Sequence, residues 1–192
     1  MTAHEGTLIA VARCLEELQV PYAVIGGLAN AVWGEPRSTL DIDVAVRVEE
    51  GRMPAVIDEL ARRFHSMTAD PRDFVARTSV LPLRSESGVR VDVVFARLPF
   101  EDDVIRRAVP VGLASGPVRF CTAEDLILMK IASERPRDLE DARGVALRRM
   151  RDLDLGYLEP RIRELTVGLD RPEIAARWTA WRDESRPGAG GG

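Results

Sequence analysis

Cysteine and histidine are scarce in this 192-residue chain, which narrows the kinds of site it can hold. Cys14 and Cys121 each stand alone in an apolar pattern, which is typical of small buried side chains in a reducing compartment. His4 and His65 lie too far apart in sequence for a zinc motif. The sequence therefore predicts neither a disulfide framework nor a zinc centre.

Long hydrophobic runs are also missing. No apolar run approaches the roughly 20 residues needed to cross a bilayer, and the first residues lack the basic-then-apolar order of a signal peptide. We therefore expect a cytoplasmic protein with no membrane partner. The net charge of −4 gives no overall basic field for gripping nucleic acid. The length suits one domain, or one domain with a helical extension.

Lysine is nearly absent: of the 27 lysine and arginine residues, only Lys130 is a lysine. A lysine that persists in an arginine-rich composition is a candidate for a site that needs a compact ammonium group. The alternative is a surface lysine whose stem covers apolar side chains while its ammonium reaches solvent.

Hydrophobic periodicity predicts a mixed region of strands and helices followed by helices alone. Strands are predicted at 22–25, 41–48, 74–83, 89–95 and 118–121, with a hairpin turn at 86–88. Helices are predicted at 7–18, 28–33, 54–64, 122–133, 137–149, 159–167 and 171–184, the last with Trp178 and Trp181 in the core. This order predicts an α+β core over residues 1–121, a helical C-terminal region packed on it over 122–186, and a disordered tail over 187–192.

Two carboxylates alternate with an apolar residue on the second predicted strand, in the order Asp41-Ile42-Asp43. Alternate residues of a strand point to the same face, so the two carboxylates lie about 6–7 Å apart. A chain tolerates such a repelling pair by binding a cation or by raising a pKa, and an all-oxygen ligand set favours magnesium or manganese. The alternative is a pair of solvated acids on an exposed strand face.

Two further features add to this pair. Gly26-Gly27 follows a strand and opens a helix, so a phosphate can approach free backbone N–H groups there, although Gly-Gly also forms ordinary turns. Asp92 lies inside the apolar strand 89–95, where an unpaired charge would be costly. Asp92 is therefore either a third metal ligand or the partner of Arg90 or of another arginine.

Taken together, these motifs resemble the DNA polymerase β-like nucleotidyltransferase superfamily. The order is Ile25-Gly26-Gly27, then Arg37-Ser38-Thr39-Leu40-Asp41-Ile42-Asp43, then Val91-Asp92-Val93. The long gap between Gly27 and Asp41 resembles the AbiEii/AbiGii toxin group and also small drug-modifying nucleotidyltransferases. The segments ending in Lys130 and Asp141 resemble the helical motifs of that group, with Arg137 in place of a lysine. The resemblance covers roughly residues 22–145.

The resemblance implies an α+β nucleotidyltransferase fold, in which residues 1–121 form the catalytic core around a small mixed β-sheet flanked by helices. It implies transfer of a nucleoside monophosphate from an NTP to an acceptor hydroxyl, with two Mg²⁺ or Mn²⁺ ions. The implied catalytic residues and metal ligands are Asp41, Asp43 and Asp92. The implied nucleotide-binding residues are Gly26, Gly27, Arg37, Thr39 and Lys130.

Several alternatives remain open from the sequence. Arg37 either contacts phosphate or pairs with Glu35, and Asp138 and Asp141 either orient arginines or form a helix-surface salt bridge. The toxin group implies an RNA end, such as that of a tRNA, as acceptor and a cognate antitoxin protein as partner. The other hypotheses are transfer to a protein or a small drug, and a non-catalytic antitoxin-like binding protein. The presence of all three acids argues against the last.

Overall fold

The computed structural model describes residues 2–37, 39, 41–114 and 116–185. The chain divides into two compact units, one of Met1–Ala29 with Ser38–Cys121 and the other of Asn30–Arg37 with Thr122–Gly192. The predicted disorder of residues 187–192 lies outside the described residues. Within those ranges, no helix has both the length and the apolar character that crossing a membrane requires.

The first unit is built on a seven-stranded sheet in the order β3-β4-β5-β2-β1-β7-β6. Its strands are β1 (Tyr22–Ile25), β2 (Asp41–Val46), β3 (His65–Ser66), β4 (Val80–Arg84), β5 (Arg90–Phe95), β6 (Val109–Leu113) and β7 (Gly116–Phe120). The β2·β5 and β1·β7 pairs are parallel, and the other four are antiparallel. The sheet is therefore mixed, as predicted.

Helices accompany this sheet in the first unit. They are α1 (Ala3–Glu17), α3 (Met53–Arg63), α4 (Pro71–Thr78) and α5 (Pro99–Arg107), while α2 (Gly26–Trp33) begins directly after β1. Side chains from helices and strands, among them Leu15, Leu60, Ile42 and Val91, are fully buried in the core. Cys14 and Cys121 are both buried, as their apolar surroundings predicted.

The predicted strand over residues 74–83 is wrong in its first half, which forms α4. The Asp70 side chain accepts a hydrogen bond from the backbone N–H of Asp73, and Pro71 occupies the first turn of the helix. Ser79 then adopts a left-handed conformation with φ of 61°, which ends the helix and lets β4 begin at Val80. The local cap therefore outweighs the β-forming side chains of residues 74–80.

The strands β3 and β6 and the helix α5 of the first unit were not predicted from the sequence. The start of α5 is fixed by the Glu101 carboxylate, which accepts hydrogen bonds from the backbone N–H groups of Arg97 and Leu98 at 2.6 and 2.9 Å. Pro99 follows at a position where a missing N–H is tolerated. Both signals are local, so α5 could have been found.

The second unit consists of residues 30–37 and the helices α6 (Ala123–Ile131), α7 (Pro136–Arg149), α8 (Leu155–Gly168) and α9 (Glu173–Glu184). All four helices lie where the sequence predicted them, within four residues at each end. Thr122 caps α6 by accepting from the N–H of Asp125 and donating to its carboxylate at 2.8 Å. Trp178 and Trp181 are buried, as predicted. The α+β class with a helical C-terminal extension is confirmed.

Candidate active site

The three candidate metal ligands lie on two adjacent parallel strands of the first unit. In the register of β2 and β5, Asp43 lies directly opposite Asp92, and Asp41 lies opposite Arg90. Their intervening neighbours Ile42 and Val91 are fully buried, whereas the three aspartates are only partly exposed. All three carboxylates therefore leave the sheet on the same face, as the alternation of the sequence predicted for Asp41 and Asp43.

Asp92 is engaged by Arg90, one of the two roles that the sequence left open. Arg90 Nε donates to Asp92 Oδ1 at 3.1 Å, and Nη2 lies 3.0 Å from Oδ2. The hydrogen bond and charge of Asp92 raise the pKa of Arg90, and the nearby charges of Asp41 and Asp43 raise it further. The guanidinium of Arg90 is thus a counter-ion for the whole carboxylate set.

The residue types and their register fit a divalent cation, because carboxylate oxygens are the ligands that Mg²⁺ and Mn²⁺ prefer. In the described part of the chain, however, no group of three His, Cys, Asp or Glu side chains is arranged to hold a metal ion. Both oxygens of Asp92 are directed at Arg90. The three carboxylates therefore supply oxygen donors for a divalent cation on one face of the sheet, with Asp92 paired to Arg90.

Gly26 lies against the Asp43 carboxylate at the junction of β1 and α2. Its φ is +65°, and a Cβ atom at this position would lie 2.1 Å from Asp43 Oδ2. Both facts favour glycine, because L side chains rarely adopt this φ and any side chain would displace the carboxylate. Gly26 therefore allows the first residue of α2 to approach Asp43 closely.

Gly27, the next residue of α2, lies similarly close to the side chain of Thr39. A Cβ at Gly27 would lie 2.6 Å from Thr39 Oγ1, and that hydroxyl donates to the Asp41 carbonyl at 3.1 Å. Thr39 thus connects the start of α2 with the start of β2. The predicted phosphate contacts of Gly26, Gly27 and Thr39 remain predictions.

The second unit contains a compact ion cluster that includes two predicted nucleotide-binding residues. Lys130 Nζ donates to Asp138 Oδ1 at 2.6 Å and to Asp141 Oδ2 at 2.9 Å. Arg37 makes a two-pronged contact with Asp141 at 2.8 and 2.9 Å. Asp138 also accepts from the Ser133 hydroxyl at 2.9 Å. We call Arg37, Lys130, Asp138 and Asp141 the ion cluster.

Two residues of the ion cluster, Lys130 and Asp141, are buried. The side chains of Lys130 and Asp141 are only 9% and 6% exposed, which contradicts the surface-lysine alternative. Burial by itself raises the pKa of Asp138 and Asp141, but hydrogen bonds from Lys130 to both and from Arg37 to Asp141 outweigh it, so both pKa values lie below the ordinary range. The two aspartates orient a lysine as well as an arginine, and a contact of Lys130 or Arg37 with nucleotide remains a prediction.

Sequence reasoning missed two residues beside these groups. Ser133 is one, and its polar side chain next to a helix end carries no distinctive signal. Arg84 is the other, and it lies directly opposite Arg90 on β4. The predicted turn at 86–88 contains the information needed to find it, because counting outward from the turn pairs residues 84 and 90.

The fold is that of nucleotidyltransferases, as three solved structures show. An antigenic nucleotidyltransferase-like protein from Paracoccidioides brasiliensis superposes with a TM-score of 0.57 at 16% identity, over 91% of each chain. The lincosamide antibiotic adenylyltransferase LnuA gives 0.51 at 16%, over 76% of this chain and 96% of that chain. ANT(2″)-Ia, solved with adenylyl-2″-tobramycin, gives 0.51 at 16%, over 96% and 100%.

Residues 7–183 match the family described as nucleotidyltransferase of unknown function, DUF6036, and the chain belongs to this family. No curated protein sequence matches the chain. The resemblance to nucleotidyltransferases is therefore confirmed, while the narrower resemblance to the AbiEii/AbiGii toxin group remains a prediction.

Proposed function

We propose that this protein transfers a nucleoside monophosphate from an NTP to an acceptor hydroxyl, with two Mg²⁺ or Mn²⁺ ions bound by Asp41, Asp43 and Asp92. The observation that carries the proposal is the register of β2 and β5, which places these three carboxylates on one face of the sheet. Membership of a nucleotidyltransferase family supports the reaction class.

Each residue has a distinct task in this proposal. Asp41 and Asp43 would bind both ions and, through them, the triphosphate, while Asp92 would bind the second ion and help deprotonate the attacking hydroxyl as pyrophosphate leaves. When bound, the divalent cations neutralise the triphosphate and favour the ionised hydroxyl. Gly26 keeps the start of α2 close to Asp43, where its backbone N–H groups can meet phosphate oxygens.

Arg37, Thr39 and Lys130 complete the proposed nucleotide-binding set. Thr39 is held by its hydrogen bond to the Asp41 carbonyl, close to the first metal ligand. Arg37 and Lys130 are held by Asp141, so their positions are fixed before any nucleotide arrives. A fixed cation loses little conformational entropy when it meets a phosphate, which favours binding.

For the acceptor, we propose the hydroxyl of an RNA end such as that of a tRNA, as in a toxin that is neutralised by a cognate antitoxin. The resemblance to the AbiEii/AbiGii group motivates this proposal. The alternative is a small molecule, because two enzymes that share the fold are named for lincosamide modification and for a complex with adenylyl-tobramycin. A protein hydroxyl is the third acceptor class.

Labelled nucleotides test the proposal. The protein is incubated with each of the four labelled NTPs, Mg²⁺ and whole-cell extract, and the RNA, protein and small-molecule fractions are then separated. We expect label in the RNA fraction, and we expect it to disappear with a chelator or in Asp41→Asn. Label in the protein or small-molecule fraction would assign the acceptor to that class instead of RNA. If the folded wild type transfers label to none of the fractions, the proposed reaction class is contradicted.

A further inference from the structure

Two arginines share a sheet face with the three carboxylates. Arg90 on β5 lies opposite Asp41 on β2 and opposite Arg84 on β4, while Asp92 lies opposite Asp43. Residues directly opposite each other in a sheet project from the same face. The chain therefore places its own cations beside the proposed metal ligands.

The two arginines differ in what they contact. Arg90 binds both oxygens of Asp92, whose side chain is 18% exposed, and the charges of Asp41 and Asp43 also act on it. Arg84 instead donates to the carbonyl of Gly88 in the hairpin turn at 3.1 Å. Arg90 is thus engaged with the metal ligands, whereas Arg84 is a neighbouring arginine held by the turn.

We propose that Arg90 is the internal counter-ion of Asp92, and that it must release Asp92 before a divalent cation can be held by all three aspartates. This inference rests on the proposed function. It follows from the pairing of both Asp92 oxygens with one guanidinium. Arg90 is a positioning residue, since it acts through Asp92.

The exposure of Arg90 allows the exchange. The side chain of Arg90 is 44% exposed, so solvent can take up its guanidinium once the pair opens. A partly exposed ion pair is weak, and a divalent cation placed among three carboxylates attracts Asp92 more strongly than one guanidinium does. Arg90 therefore lowers the affinity for the ion without preventing its binding. It also offsets the mutual repulsion of the carboxylates while no ion is bound.

Binding of Mn²⁺ alone, followed by the loss of the free-ion paramagnetic resonance signal, measures the proposed exchange without any catalytic assay. The wild type is compared with Arg90→Met, which keeps the length of the side chain and removes its charge. We expect Arg90→Met to bind Mn²⁺ about threefold to tenfold more tightly. Arg84→Met removes the same charge from the same face and should change the affinity by less than about twofold, because it leaves the Asp92 pair intact.

Binding by Arg90→Met that is equal to or weaker than that of the wild type would overturn the proposal, and so would equal tightening by both arginine variants. If Arg90→Met does not fold, Arg90→Gln is measured in its place with the same expectation. Asp43→Asn separates this proposal from the proposed function. If Asp43→Asn binds Mn²⁺ as tightly as the wild type, the proposed metal site itself is contradicted. If Asp43→Asn weakens Mn²⁺ binding but Arg90→Met does not change it, only the role of Arg90 as counter-ion is contradicted.

Discussion

Asp41 and Asp43 project from one face of β2, so their charges repel each other while no cation is bound. We predict that Asp43→Asn lowers transfer about 100-fold or more, because a metal ligand is lost. The same change relieves repulsion, so the melting temperature without metal should stay the same or rise. Initial rates and thermal unfolding measure the two effects.

The exposed acid Glu86 provides the control for this variant. Glu86→Gln removes a carboxylate from the hairpin turn and should leave both the rate and the melting temperature near those of the wild type. Wild-type transfer by a folded Asp43→Asn protein would show that Asp43 does not hold the catalytic metal.

A second prediction at the scale of one residue concerns the stability that Gly26 confers. Gly26→Ala places a methyl group where the Asp43 carboxylate now lies and forces alanine into a left-handed φ of +65°. We expect the free energy of unfolding to fall by about 2 kcal/mol or more. Denaturant unfolding checks this, with Gly112→Ala as the control, since a Cβ at Gly112 meets nothing within 4 Å. Equal stability of the two variants would refute the steric argument.

At the scale of elements, the ion cluster ties together α6, α7 and the segment that ends at Arg37. We predict that Lys130→Ala lowers the free energy of unfolding by about 3 kcal/mol, because it leaves Asp138 without its ammonium partner and takes one of the two cations from Asp141. If Lys130 also binds the triphosphate, the KM for NTP also rises about tenfold or more, which corresponds to a loss of about 1.4 kcal/mol of binding free energy. Unfolding and steady-state kinetics separate the two roles.

Two further variants sharpen the Lys130 experiment. Arg137→Ala removes an exposed cation from the start of α7 and should change stability by less than about 0.5 kcal/mol. Lys130→Arg keeps the charge and should recover only part of both properties, because a planar guanidinium replaces a compact ammonium. A loss of stability with an unchanged KM would assign Lys130 to the fold alone.

The same cluster predicts a response to acid. The folded-state pKa values of Asp138 and Asp141 lie below their ordinary value of 3.8. Such groups stabilise the fold above the unfolded pKa, and this stabilisation is lost as the pH falls through the folded pKa. We therefore expect the melting temperature to drop steeply below about pH 4, and less steeply in Asp138→Asn. Asp152→Asn, at a side chain 73% exposed, should follow the wild type.

Helices with strong hydrophobic periodicity were predicted correctly, whereas the type of the short element α4, which depends on its end cap, was not. The helices α6–α9 repeat their apolar residues over several turns, so the sequence placed them well. The helix α4 spans only Pro71–Thr78 and depends on the Asp70 cap, which competes with side chains that favour a strand. Short elements carry few periodic positions, so a single cap decides between helix and strand.

For the candidate site, the sequence predicted which residues take part but not which side chains pair with each other. The alternation around Asp41 predicted a shared face for Asp41 and Asp43, which the strand register confirms, and the register adds Asp92 to that face. The pairing of Arg90 with Asp92 and of Lys130 with Asp138 and Asp141 depends on side-chain rotamers. Rotamers follow from tertiary packing, and for these charged residues several partners were equally available in the sequence.

At the scale of the whole molecule, the net charge of −4 bears on the acceptor. An acidic protein that binds RNA must do so through local arginines, and each phosphate contact releases a counter-ion. For about three contacts, we expect the KM for an RNA acceptor to rise about tenfold or more between about 50 and about 200 mM salt. A small acceptor with few charges should show little change. Steady-state kinetics over this salt range, with the KM for NTP measured in parallel, distinguishes the two, and an RNA acceptor whose KM ignores salt would contradict phosphate-based recognition.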